Sequence, residues 1–198
     1  MFHRFRSLLG KWHFTAVLLA GFMALMLCGA GVPPVEEGTG ARFEGKDTLM
    51  FPKGYREWVF VGSSLGLEYD ADKKQASEKL EFKNVYMNPS AYREFLRTRT
   101  FPEGTILVLE TGTEAKKSEP GLRGSYLDEF TGVSTAVKDT KRFTDGWAYF
   151  SFGSRSARSK GRAQPFAKSA CYDCHRQNGG QDNVFTQFYP VLRTKPAK

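Results

Sequence analysis

Hydrophobic and polar positions change rhythm along the 198-residue chain, and each rhythm predicts an element. The first stretch is an apolar run, "FTAVLLAGFMALML", at residues 14–27. Residues 31–49, "GVPPVEEGTGARFEGKDTL", are Pro/Gly-rich and polar and read as a flexible lead. Structured patterns begin near Met50. "YREWVFVGSSLG" ends in a predicted strand at residues 58–63, and "LEFKNVYMNP" reads as a strand closed by Asn88 and Pro89. In "PSAYREFLRTR" the apolar positions Tyr92, Phe95 and Leu96 recur at helical spacing, and Pro89 suits a first helical turn. "GTILVLETG" is a predicted strand, "EPGLRGS" a turn, and "SYLDEFTGVSTAVKD" and "WAYFSFG" two further strands. "SRSARSKGRAQPFAK" reads as a basic loop. A short helix is expected to open at Cys171, and the aromatic tail "DNVFTQFYPVLR" is expected to pack back on the body.

Four or five strands with few helices predict an α+β fold, mainly an antiparallel β-sheet with a few short helices. Residues 50–198 form the expected domain, behind the lead at 31–49. Arg4, Arg6 and Lys11 precede the apolar run, and "CGAGVPP" follows it with small residues. Residues 1–30 therefore read as an export signal, which places the domain in the periplasm. The run is short for a membrane span, although residues 12–32 together are long enough for an uncleaved anchor.

Hydrophobic residues at 40% and charged residues at 25% mark a globular chain, and 14% aromatics can line an apolar cofactor pocket. The net charge of +8 raises the question of nucleic acid, but acids are interleaved with the basic residues and no nucleic-acid motif accompanies them. Cleavage after residue 30 would lower the charge to about +5 and remove His3, His13 and Cys28. The remaining cysteines are then Cys171 and Cys174, and the remaining histidine is His175.

These three residues form a C-x-x-C-H motif, which three chemistries use. Haem attachment takes one thiol per vinyl group and turns the adjacent imidazole onto the iron. A redox dithiol needs the cysteines but not the histidine. Zinc needs four ligands, or three and a water, and the exported chain would have to complete that set with carboxylates. Export and the ligand inventory favour one covalent haem c, held by Cys171 and Cys174, with His175 as the axial iron ligand. A second axial ligand is scarce. Met50 and Met87 are the remaining methionines, and core packing accounts for each. A five-coordinate iron with an open face follows, which suits small-molecule binding better than electron carriage.

The segments "PKGYREWVFVG", "FKNVYMNPSAYREF", "EGTILVLE", "AVKDTKRF" with "GWAYFSF", and "CYDCHRQNGGQDNVFTQFYPVLR" resemble the cytochrome P-460 and cytochrome c′-beta family, in order, over residues 51–193. The resemblance implies a mainly antiparallel sheet, a homodimer and one five-coordinate haem. It also implies one of two functions. P-460 members oxidise hydroxylamine with a lysine cross-linked to the haem and a distal glutamate. The c′-beta members lack the cross-link and bind nitric oxide or carbon monoxide at an apolar, Phe-capped face.

Aligned with that family, the cross-linking lysine falls on Leu109 and the glutamate near Ser134. Strand alternation sets Thr105, Leu107 and Leu109 on one face and Ile106, Val108 and Glu110 on the other. The nearest lysines, Lys116 and Lys117, lie past a glycine-containing turn. Glu110, Asp128 or Glu129 could substitute for the missing carboxylate, but strand parity turns Glu110 away from Leu109. Hydroxylamine oxidation needs a positioned base, whereas a neutral diatomic gas does not. Gas binding is the expected function. The alternatives are hydroxylamine oxidation and electron transfer with a Met distal ligand. Lys138, Arg142 and Arg193 are candidate partners for haem propionates. Phe60, Leu80, Phe82 and Leu107 are candidates for the distal wall. The basic loop, with Arg155, Arg158, Lys160, Arg162 and Lys168, is a candidate docking site for a periplasmic redox partner.

Overall fold

Five runs of alternating character pair in sequence order. A computed structural model describes residues 40–67, 80–154 and 161–193. Its main sheet has the order β3-β4-β5-β6-β7, all antiparallel: β3 is Val59–Leu65, β4 Glu81–Met87, β5 Ile106–Glu119, β6 Leu122–Lys138 and β7 Trp147–Ser154. A second sheet joins β1 (Phe43–Glu44), β2 (Thr48–Met50) and β8 (Arg162–Ala163). Two short helices complete the α+β fold: α1 (Pro89–Thr98) and α2 (Tyr172–Asn178). The apolar run at residues 14–27 and the basic residues Arg155, Arg158 and Lys160 lie outside the described residues. Among the described residues no helix is long and apolar enough to cross a membrane.

The side-chain period of two gives the main sheet two cores. Val85, Met87 and Leu107 point to one face, where they pack with Phe95 of α1, Trp147, Tyr149 and Leu192 of the tail. Ile106, Val108 and Val137 point to the other, where Leu49, Tyr55, Trp58, Phe150 and Phe152 meet them. The small sheet covers this second face, and its strands Phe43–Glu44 and Thr48–Met50 begin inside the segment expected to be a flexible lead. The expected basic loop likewise contains β8.

Helix α1 starts where the pattern places it. Pro89 occupies its first turn, where the missing N–H costs nothing. Asn88 does more than close β4. Its buried side chain accepts from the Ile106 N–H at 2.8 Å and donates to the Gly104 carbonyl at 3.1 Å, tying the helix start to β5. The tail closes over β3 at Gly62, where an added Cβ would lie 3.0 Å from the Tyr189 ring. Strand β5 is longer than the sequence suggests. Pairing with β4 stops at Thr113, but β5 and β6 continue together as a two-stranded ribbon out to Glu119 and Leu122.

Candidate functional site

The first core is incomplete. Between the β4–β5–β6–β7 face, α2 and the tail lies a cavity of about 200 Å³. Val85, Leu107 and Leu109 give it apolar walls, and Val184 and Phe185 of the tail add to them. Ser134 and Ala136 of β6 line it beside Leu109 and Leu107, their register partners on β5. Cys171 and His175 enter from α2, and Tyr149 from β7.

Helix geometry explains why two of the three motif residues share this space. Cys171 is the N-cap of α2 and His175 lies one turn later, so both fall on one helix side. Cys174 is half-buried in the same turn and accepts a weak contact from Asn178 Nδ2 at 3.5 Å. Both thiols are free. The His175 ring sits between Tyr149 and Phe185, with ring centroids 4.3 and 4.6 Å away. Its Nδ1 hydrogen-bonds the Asn183 carbonyl oxygen at 2.9 Å, which leaves Nε2 as the ring atom for a metal. Burial lowers the His175 pKa, partly opposed by the Asn183 carbonyl, and so favours the neutral imidazole that ligates iron.

These donors fit a haem. Neutral imidazole, two thiols one helical turn apart and apolar walls are what a covalently held porphyrin requires. The other two readings of the motif fit poorly. Burial, and then the neighbouring Cys174, pushes the Cys171 thiol up, whereas a redox dithiol needs a lowered thiol. Among the described residues no three His, Cys, Asp or Glu side chains converge as a metal cluster would need.

Leu109 and Ser134 are cross-strand partners on the cavity wall. Glu110 turns to the opposite face, as strand alternation predicts. There its side chain is 1% exposed, and Oε1 accepts from Arg56 Nε at 2.9 Å and from the Tyr55 hydroxyl. Lys116 and Lys117 are not past a turn: they ride on β5 itself, in the projecting ribbon, each within 4 Å of a glutamate on the same strand. Asp128 and Glu129 lie on the exposed ribbon as well. Among the described residues lining the cavity there is therefore neither a carboxylate nor a lysine.

Of the expected distal-wall residues, Leu107 lines the cavity. Phe60 instead packs on Tyr86 and is half exposed, on the Glu110 side of the sheet. Phe82 shares the Tyr86 side of β4, because the two are four residues apart on one strand. Val85, which the sequence reading did not single out, takes their place. Met87 is fully buried in the first core and Met50 ends β2; neither lines the cavity. Lys138 binds Asp182, with Nζ to Oδ2 at 2.6 Å. Arg142 binds Asp139 and the Gly45 and Lys46 carbonyls, and Arg193 is exposed on the tail. None of the three lines the cavity. Lys168 pairs with Asp145 at 2.6 Å and Arg162 with Glu44 at 2.6 Å. The Asp182 contact carries no motif and was not legible in the sequence.

A family model described as Cytochrome P460 matches residues 52–186, from the segment before β3 to the start of the tail. No curated protein matches the chain.

Proposed function

The chain belongs to the cytochrome P460 family of haem-binding cytochromes, and we propose that within it this protein is a gas-binding member. Cys171 and Cys174 would hold one haem c through two thioethers, and His175 would ligate the iron through Nε2. The haem, once bound, would supply an iron that can take up a small ligand. The chain's own residues do the rest. The Asn183 carbonyl fixes the tautomer of His175, Tyr149 and Phe185 hold its ring, and Leu107, Leu109 and Val85 keep water out. The preferred ligands are nitric oxide and carbon monoxide, which are neutral and need no counter-charge. Export to the periplasm and pairing as a homodimer belong to the same reading.

One observation carries it. Leu109 and Ser134 stand together on the cavity wall, and the nearest carboxylate along β5, that of Glu110, is spent on Tyr55 and Arg56 across the sheet. Oxidation of hydroxylamine requires a group that accepts protons beside the substrate. The described cavity lining offers no carboxylate for that task. A methionine-ligated electron carrier is disfavoured because neither Met50 nor Met87 reaches the lining.

The test is spectroscopic. The haem-loaded protein is expected to give a ferrous spectrum that responds to both carbon monoxide and nitric oxide, with no hydroxylamine-dependent reduction of an electron acceptor. Mass spectrometry should find one haem added through two thioethers. Steady hydroxylamine turnover would overturn the reading, and so would a low-spin ferrous form that ignores carbon monoxide.

A further inference from the structure

We propose that Asp182 is a positioning residue for the proximal histidine: its carboxylate, held by Lys138 and Trp147, fixes the turn whose next carbonyl, that of Asn183, accepts the His175 Nδ1 proton. The inference rests on the reading of His175 as the iron ligand.

The turn is unusual in its backbone. Gln181 and Val184 exchange backbone hydrogen bonds at 3.2 and 2.9 Å, enclosing Asp182 and Asn183. Both central residues have positive φ, 46° and 62°. This is the pattern of a primed two-residue turn, whose usual occupants are Asn or Asp followed by Gly. A non-glycine residue at the second position costs free energy, so something else must hold the turn.

Asp182 supplies the hold. Oδ2 lies 2.6 Å from Lys138 Nζ, and Oδ1 accepts from Trp147 Nε1 at 3.1 Å. Lys138 is itself tied down, donating to the Phe101 carbonyl at 2.8 Å. Lys138 and Trp147 are register partners at the end of β6 and the start of β7. The turn is therefore pinned to the rigid end of the main sheet rather than to a loop. Gln181 adds a second pin, donating through Nε2 to the Arg99 carbonyl at 2.6 Å.

The far side of the turn meets the helix. The Asn183 carbonyl takes the His175 Nδ1 contact at 2.9 Å, and the Tyr149 hydroxyl approaches the same oxygen at 3.5 Å. Gly179 permits this approach, since a Cβ there would sit 2.6 Å from the His175 carbonyl and 2.9 Å from Asn183. A hydrogen bond to Nδ1 raises the electron donation of the opposite nitrogen, and partners of this kind orient the ring. A carboxylate one residue earlier in the chain thus sets the oxygen that holds Nδ1 of the proposed iron ligand.

Resonance Raman spectroscopy of the ferrous haem-loaded protein tests this. Asp182→Ala is expected to lower the iron–histidine stretching frequency and raise the midpoint potential, because a loosened Nδ1 partner weakens donation from the opposite nitrogen. Asp182→Asn keeps an acceptor for Trp147 but loses the charge facing Lys138, so an intermediate shift is expected; it also serves if the alanine variant fails to mature. Leu49→Ala, in the core across the sheet, is the control: it should lower the melting temperature and leave the stretching frequency in place. Asp182 variants that lose thermal stability with frequency and potential unchanged would overturn the proposal. Absence of any iron–histidine mode in the parent protein would overturn the prior reading of His175 instead.

Discussion

Glu110 shows how much one side chain's facing decides. It is a buried carboxylate, and its Oε2 has no partner while Oε1 is shared by Tyr55 and Arg56. Arg56 is 57% exposed at its side chain and also lies over the Phe130 ring, 4.4 Å from its centroid. Arg56→Met would leave the carboxylate buried without its counter-charge. A loss of about 3 kcal/mol is expected, the low end for breaking a buried pair because the arginine keeps one side in water. Adding Glu110→Gln to that variant should recover most of the loss, since an amide carries no charge to strand. Urea unfolding midpoints measure both, and a second substitution that deepens the loss would contradict this account. Single residues were also where the sequence was most legible. The spacing of Cys171 and His175 put both on the cavity side of α2, and alternation alone assigned Leu109 and Glu110 to opposite faces. Asp182 announced nothing, because its role depends on Lys138 and Trp147, 44 and 35 residues away along the chain.

At the level of elements, β4, α1 and β7 were legible because each carries a full period of its pattern and a clear boundary, such as Asn88-Pro89 or the Gly146 before Trp147. Strands β1, β2 and β8 were not. Each is two or three residues long, too short to show a period, and pairing with distant chain decides it. The ribbon beyond Thr113 was read as strand, turn and strand of ordinary length, because "TEAKKSEP" is polar on both faces and alternation cannot mark its extent. That same polarity gives a prediction. From Ala115 to Tyr126 the strand register pairs the ribbon only with itself, and none of these residues lines the cavity. Replacing residues 115–126 with an Asn-Gly turn should leave the haem absorption spectrum and carbon monoxide binding unchanged. A shifted spectrum would mean that the ribbon bears on the cavity.

For the molecule as a whole, buried tyrosines on both faces of the sheet link folding to alkaline pH. Burial is the first cause for Tyr55, Tyr86 and Tyr149, and each is raised above the ordinary tyrosine value; for Tyr55 the hydrogen bond to Glu110 adds to it. The unfolded chain releases these protons near pH 10 while the folded protein keeps them. Above that pH the unfolded state binds fewer protons, so stability falls as pH rises. Their contribution is fully present below about pH 10. Melting temperatures should therefore begin to fall as pH rises past about 10 and go on falling above pH 11, as the unfolded chain ionises and the folded protein does not. The Tyr55→Phe, Tyr149→Phe double variant should show a shallower drop, and an equally steep one would contradict the linkage.

The main sheet is one layer thick between the cavity and the Glu110 cluster. Leu109 and Glu110 are neighbours in sequence but serve different sides of that wall. Chemical character is thereby stored in the register of β5. A single residue inserted ahead of Leu109, with the slip carried past Glu110 and absorbed only at the register shift after Thr111, would turn the acid toward the cavity and the leucine away from it. The separation between an apolar pocket and one furnished with a proton acceptor is, in this fold, one peptide unit of slip rather than a new side chain.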